Sequence, residues 1–277
     1  MTAGLLTLVG TPIGNLGDLS PRAIEALGAA DALACEDTRR TGRLLAHIGV
    51  RVPVLIVMND HTEAEVIDRI IGRLEAGERV AVVSDAGMPG ISDPGERLVA
   101  AVSARGLRIE VVPGPSAAVT ALVGSGLPAG RFVFEGFLPR KGSGRSERLR
   151  ELATETRTVL LYEAPHRLER TLADLSVSCG ADRQVVFARE LTKLHEEFWR
   201  GSLAEAIERC GEVEPRGEYV LVLAGAAAAE PADDAQLLRA LQEARASGAS
   251  TRDAVAAVAE RFGAPHRRVY SLATGKH

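Results

Sequence analysis

Two α/β domains followed by a small helical tail are what the sequence predicts, and three observations predict them. Short apolar runs alternate with amphipathic stretches between residues 5 and 223, and glycine- and proline-rich loops follow several of those runs. An Ala, Glu, Pro and Asp segment, 226–234, then separates this region from two helix-like stretches. At 277 residues, 46% hydrophobic and 25% charged, the chain has a globular composition and is longer than one ordinary core holds. The expected divisions are 1–123, 124–227 and 228–277.

Residues 5–9 form a short buried run and predict the first strand, with the loop Gly10 to Gly17 after it. Ser20 can cap a helix that Pro21 opens. Strands are expected at 32–35 and 52–57, then a helix over 63–76 with Ala64, Ile67, Ile70, Ile71 and Leu74 on its apolar face. Strands at 80–84 and 109–112 continue an open, mainly parallel sheet whose loops gather at the carboxyl ends of its strands. The second domain starts in the stretch 124–130, and its strands at 132–135, 158–162, 185–188 and 219–223 predict a mixed layer. The tail holds helices at 235–246 and 252–262, with a helix-turn-helix-like stretch at 254–270 that turns at Gly263-Ala264-Pro265.

The formal charge of −4 gives the whole molecule no pull on nucleic acid, so any RNA contact must come from local basic patches. Cys35, Cys179 and Cys210 have neither zinc-site spacing nor the even count of a disulfide framework, which suits a reducing cytoplasm. The six histidines include no pair at ligand spacing on one helix face, so no metal is expected. With no apolar run of about eighteen residues and no secretory leader pattern at the start, neither a membrane span nor export is expected.

Three loops follow buried strands of the first domain: Gly10-Thr11-Pro12-Ile13-Gly14-Asn15, Ser84-Asp85-Ala86-Gly87-Met88-Pro89-Gly90 and Pro113-Gly114-Pro115-Ser116-Ala117. Clustered at one sheet edge, they make a small-walled crevice in which glycine admits close backbone approach and Ser116 opens a helix toward an anionic group. A dinucleotide site also places acids, here Glu36 and Asp37, some twenty residues after such a loop. The glycines argue against it, because Gly10, Gly14 and Gly17 match neither the dinucleotide fingerprint nor a Walker A loop.

Several stretches taken together identify a resemblance. Val9-Gly10-Thr11-Pro12-Ile13-Gly14-Asn15-Leu16, Cys35-Glu36-Asp37-Thr38-Arg39, Ser84-Asp85-Ala86-Gly87, Ile91-Ser92-Asp93-Pro94-Gly95 and Pro113-Gly114-Pro115-Ser116 resemble the ribosomal RNA small-subunit methyltransferase I family. Phe134-Glu135-Gly136-Phe137-Leu138-Pro139-Arg140-Lys141, Tyr162-Glu163-Ala164-Pro165-His166-Arg167 and Ala188-Arg189-Glu190-Leu191-Thr192-Lys193 are similar to its second-half signatures, in the same order. The resemblance covers roughly the first 225 residues, and its specificity lies in the order and spacing of many motifs. Two departures stand out: Met88 replaces the family's usual small hydroxyl residue, and Ala164 stands where serine is common.

The resemblance implies the tetrapyrrole-methylase-like (class III methyltransferase) fold. It also implies methyl transfer from S-adenosylmethionine to a cytidine 2′-oxygen in the decoding region of 16S rRNA, in the 30S subunit, by a homodimer. It places Ile13, Met88, Ile91, Ser116, Ala117, Tyr162, Ala188 and Tyr219 at the cofactor, with Asp85 assisting by hydrogen bonding. A ribose hydroxyl needs its proton removed, and the candidates are Glu36, Asp37, Glu190 and Lys193, with His61 in a nearby turn. Glu36 and Glu190 can equally position Arg39 or Arg189 through ion pairs. For RNA phosphates the chain offers Arg39-Arg40 with Arg43, the stretch from Arg140 and Lys141 through Arg145 and Arg148, and His266-Arg267-Arg268. The middle stretch, read as a flexible basic loop, is the best suited. Same-fold tetrapyrrole methylation and a non-catalytic RNA- or nucleotide-binding module are the alternative functions; the basic loop favours a macromolecular substrate, and the three-loop crevice favours a small-molecule donor.

Overall fold

The computed structural model describes residues 4–59, 62–227 and 232–275. It divides into two compact units, Met1–Ala226 and Ala227–His277. His61, one of the base candidates, lies outside the described residues.

The first unit contains two five-stranded sheets. In the first, β1 (Leu5–Val9), β2 (Ala32–Cys35), β3 (Val54–Val57), β4 (Arg79–Val82) and β5 (Arg108–Val112) run parallel in the order β3-β2-β4-β1-β5. β1 and β2 are buried along their whole length, as expected of parallel strands covered on both faces. The connecting helices are α1 (Pro21–Gly28), α2 (Thr38–Ile48), α3 (Glu63–Glu75) and α4 (Glu96–Ala104). The Ser20 hydroxyl accepts from Ala23 N–H and Pro21 occupies the first turn of α1, which is the start its sequence predicts. One core packs Leu6, Ile56 and Val82 against Ile70, Leu74 and Leu98 of the helices on one face; the other packs Val9, Leu33 and Val83 against Ala23, Leu27 and Leu45.

α5 (Ala117–Ser125) follows β5, and its Ala118, Ala121 and Leu122 pack with Leu160, Val186 and Val222 of the second sheet. The expected division after residue 123 therefore cuts a helix that belongs to the second layer. Its apolar residues run all round it, so periodicity could not say which sheet it covers.

The second sheet comprises β6 (Phe132–Phe137), β7 (Thr158–Glu163), β8 (Gln184–Arg189), β9 (Glu197–Ser202) and β10 (Tyr219–Leu223) in the order β6-β7-β10-β8-β9. Only β6 and β7 pair in parallel. Sequence reading does not anticipate β9: Glu197-Phe198-Trp199-Arg200 alternates weakly, and it is an edge strand whose residues are none of them fully buried. α6 (Ser143–Thr154), α7 (Pro165–Cys179) and α8 (Leu203–Glu212) cover the face opposite α5, where Leu152, Leu168 and Leu203 meet Leu161 and Leu221.

The second unit is a three-helix cluster of α9 (Asp234–Ala246), α10 (Thr251–Phe262) and α11 (His266–Thr274), closed over Leu237, Leu241, Val255 and Val269. Arg268 pairs with Asp234 within this cluster at 2.7 Å.

Candidate functional site

The three glycine-bearing loops meet at the carboxyl ends of β1, β4 and β5. Thr11 N–H donates to Gly87 O at 2.9 Å and Gly87 N–H returns a bond to Thr11 O at 3.2 Å, which ties the first loop to the second. The first and third touch through bare backbone: a Cβ at Gly10 would lie 2.7 Å from the N and Cα of Gly114 and 2.7 Å from Met88 Sδ. Gly14 in turn lets the first loop lie against the turn after β8, since a Cβ there would come 2.5 Å from Lys193 Cγ and 2.9 Å from Leu191 O. Asn15 N–H completes this contact by donating to Thr192 Oγ1 at 3.0 Å.

These loops form one wall of a cavity of about 300 Å³. Ile13, Met88, Ile91, Ser116 and Ala117 line it from the first-sheet side, and Tyr162, Ala188 and Tyr219 from the second sheet. Phe137, Glu163, Leu191 and Val220 also line it, the first three lying inside motifs already quoted but none of the four expected at the cofactor. The signal that could have found them is position, because Phe137, Glu163 and Leu191 sit at or just beyond the ends of β6, β7 and β8. Tyr162 is held edge-on between Phe134 and Phe137, with ring centroids 5.1 Å and 5.6 Å away, and burial raises its hydroxyl above the ordinary value.

Asp85 is placed differently from the other expected cofactor residues. Its Oδ1 accepts from Asp37 N–H at 3.2 Å, its own N–H donates to Glu36 Oε1 at 3.2 Å, and its Oδ2 lies 3.4 Å from Arg40 Nε. Asp85 thus stitches the end of β4 to that of β2 and lines a neighbouring cavity instead. In the same cluster Asp37 caps α2, and hydrogen bonds from Arg39 hold its carboxyl at about 2. A carboxylate so stabilised is a weak base.

Glu190 and Lys193 form a second cluster at the rim. Lys193 Nζ lies 2.9 Å from Glu190 Oε1 and 3.0 Å from Glu218 Oε2, and Glu218 N–H donates to Glu190 Oε1 at 3.0 Å. Burial pulls the Lys193 ammonium down, but its bonds to Glu190 and Glu218 prevail and raise it above the ordinary lysine value. Burial likewise pushes the Glu190 carboxyl up, and bonds from Lys193 and Glu218 overcome it and lower it. In this arrangement Lys193 is a cation at neutral pH, suited to steadying negative charge rather than to accepting a proton.

A family model described as Tetrapyrrole (Corrin/Porphyrin) Methylases matches residues 5–207. A Ribosomal RNA small subunit methyltransferase I from Synechocystis is 47% identical over 271 residues, spanning 97% of each chain. Another of that name from Xylella fastidiosa (Temecula1) is 46% identical over 274 residues, 97% of this chain and 98% of its own. The chain belongs to this family.

Among solved structures, the methyltransferase CobJ superposes with a TM-score of 0.62 at 24% identity, over 81% of this chain and 95% of that one. A uroporphyrin-III C-methyltransferase from Thermus thermophilus complexed with S-adenyl homocysteine superposes with a TM-score of 0.55 at 20% identity, over 79% and 96%. These likenesses show the tetrapyrrole methylase fold. The protein is a methyltransferase of that fold, and its cavity is large enough for a small-molecule methyl donor. Ile13, Ala117, Ala188 and Val220 give the cavity apolar walls, while Ser116, Asp93 and Glu218 add polar groups to its lining.

The methyltransferase's basic residues need one correction. Arg145 is not part of a flexible loop: α6 begins at Ser143, and the Arg145 side chain is 5% exposed. Its Nε donates to Asp174 Oδ2 at 2.8 Å, its Nη1 to Pro139 O at 3.0 Å and its Nη2 to Thr171 Oγ1 at 3.1 Å. The Thr171 hydroxyl donates to Glu163 Oε2, while Glu163 Oε1 faces Arg167 Nε at 3.1 Å and Arg167 donates to Leu138 O at 2.6 Å. A guanidinium anchored on three sides and 5% exposed holds the segment after β6 in place and lies too deep to meet a phosphate in solvent. Arg140 and Lys141, just ahead of the helix, are exposed. Arg39 is also exposed but folds back on Asp37 at 3.0 Å.

Proposed function

We propose that the enzyme transfers the methyl group to the 2′-hydroxyl of a cytidine ribose in the decoding region of 16S rRNA. The observation that carries this reading is near-full-length similarity to proteins named for small-subunit ribosomal RNA methylation, joined to a donor-sized cavity at the meeting of both sheets. S-adenosylmethionine supplies an already electrophilic methyl group, so the protein's main work is to align the acceptor oxygen with it. Ile13, Met88, Ala117, Ala188 and Val220 would hold the donor, and Tyr162 and Tyr219 would fix its orientation. Lys193, charged and steadied by Glu190 and Glu218, stabilises negative charge developing on the oxygen, and Glu36 would take the proton. Arg140 and Lys141 would position the RNA backbone.

The substrate in this reading is the assembled 30S subunit, the compartment the cytoplasm, and the active form a homodimer. Exposed valines on β5 and α5, Val111, Val119 and Val123, offer apolar surface for such pairing. No described helix is long and apolar enough to cross a membrane. Tritiated methyl transfer offered to 30S subunits, naked 16S rRNA and a porphyrin side by side tests the reading, with nuclease digestion and mass spectrometry locating the label. Label on ribose of a single cytidine supports it; label on a base, or on the porphyrin alone, overturns it.

A further inference from the structure

The loops that wall the donor cavity also wall a second one. Thr11, Pro12 and Leu16 of the first loop, Ser84 and Asp85 of the second, and the first half of α2 enclose about 380 Å³. That is a ligand-sized volume, roughly 300–1,000 Å³ being usual for small-molecule sites. Ile13 and Met88, only a few residues along the same loops, line the donor cavity, so whatever occupies the second site lies beside the methyl donor.

The lining has a particular chemistry. Two guanidiniums from successive turns of α2 border the cavity, and neither is committed to a tight ion pair. Arg40 meets Asp85 at 3.4 Å with its side chain 56% exposed, and Arg43 has no acidic partner within ion-pair distance among the described residues. Structural arginines of this protein behave otherwise: Arg145 is fully engaged, and Arg157 meets Glu155 at 2.7 Å. An unpaired guanidinium on a concave surface offers a fork of donors that matches a phosphate. Pro12, Leu16 and Leu44 supply the apolar remainder, and Leu16 stays 46% exposed in its short 3-10 turn, as a platform for a flat ring would be. Asp85 provides an acceptor for an exocyclic amino group.

Phosphate donors, an apolar flank and a carboxylate acceptor in one cavity describe a nucleotide. We propose that this cavity receives one nucleotide of the RNA acceptor strand, its phosphate on Arg43 and Arg40 and its base against Leu16 and Pro12. The inference rests on the RNA reading given above and adds to it a site for one nucleotide flanking the methylated ribose. It also divides the Arg39-Arg40-Arg43 stretch: Arg40 and Arg43 face the ligand, whereas Arg39 serves the start of α2.

A fluorescently labelled 5′-phosphorylated hexacytidylate, titrated into the full-length protein between 50 and 300 mM NaCl, tests this, with S-adenosylhomocysteine affinity measured in parallel by calorimetry. Arg43→Ala should raise the oligonucleotide Kd roughly tenfold, the loss of one charge-assisted bond, and flatten the salt slope by about 0.7, the single-strand value for one phosphate. Leu16→Ala should weaken binding without changing the slope. Arg39→Ala should match wild type in both, and all three variants should keep wild-type affinity for S-adenosylhomocysteine. Wild-type oligonucleotide affinity in Arg43→Ala, in a protein that binds RNA and methylates 30S subunits, overturns the cavity assignment and leaves the RNA reading intact. Failure of the wild-type protein to bind RNA or to methylate 30S subunits overturns that reading and this inference together.

Discussion

Replacing Arg145 with alanine separates two incompatible roles for one residue. As a phosphate contact its loss would cost RNA affinity and leave the fold unchanged; as the buried anchor found here its loss should cost stability. Three hydrogen bonds disappear, to Asp174, Pro139 O and Thr171. Breaking a buried pair by removing one partner typically costs about 3–5 kcal/mol. Asp174 is 34% exposed and keeps Arg170 at 3.9 Å, so it is partly rehydrated and the lower end applies, about 3 kcal/mol. For a unit of this size, each kcal/mol moves Tm by about 2–4 °C, so Tm should fall by roughly 6–12 °C. Thermal and urea denaturation read this directly. Arg145→Lys should recover only part of it, because one ammonium cannot reach three partners spread around a planar fork. Below Tm, S-adenosylmethionine affinity should be nearly unchanged, since Glu163 keeps Arg167 and Ala164 N–H, and the salt slope of RNA binding should equal wild type. A variant whose stability stays within about 0.5 kcal/mol of wild type while its salt slope flattens would refute the anchoring argument and restore Arg145 to the RNA surface.

The other predictions concern the crevice and its rim. Gly10→Ala should abolish S-adenosylmethionine binding in calorimetry, because a Cβ 2.7 Å from Gly114 forces the first and third loops apart. Gly72→Ala, in α3 with nothing within 4 Å of its Cβ, should instead raise stability by about 0.5–1 kcal/mol in urea denaturation. Met88→Thr should retain cofactor binding with less than a tenfold change in Kd, as the family's usual small hydroxyl residue implies; loss of folding on circular dichroism would show Met88 to be a core residue. Glu190 is held below its ordinary 4.5, so its contribution is fully present above that pH and is lost as pH falls through its folded value. Wild type should therefore lose stability more steeply than Glu190→Gln on acidification below about pH 4.5, and parallel acid limbs would count against the cluster at Lys193.

Much of the fold was legible because its signals are local. Buried parallel strands read as apolar runs such as Leu5-Leu6-Thr7-Leu8-Val9, and a helix start such as Ser20-Pro21 uses only neighbours in sequence. β9 escaped because an edge strand carries little apolar pattern, and the division between the two layers was misplaced because α5 is apolar on all sides. Loops could be recognised as crevice-forming from their glycines, yet that Gly10 needs no side chain because Gly114 lies against it is a contact across more than a hundred residues of chain.

The limits of the sequence are sharpest for its charges. By itself it determined the kinds of residue that gather at the ends of the strands, because the positions of strands and loops along the chain follow from hydrophobic pattern and turn chemistry. Only the tertiary structure decided what each charge does. Arg39, Arg40, Arg43 and Arg145 are alike as letters, but one caps its own helix turn through Asp37, two border an open cavity and one is buried against Asp174 and Thr171. The reason is physical. A guanidinium's role is set by the dielectric around it and by the acceptors within its reach, and both are supplied by segments far away in sequence.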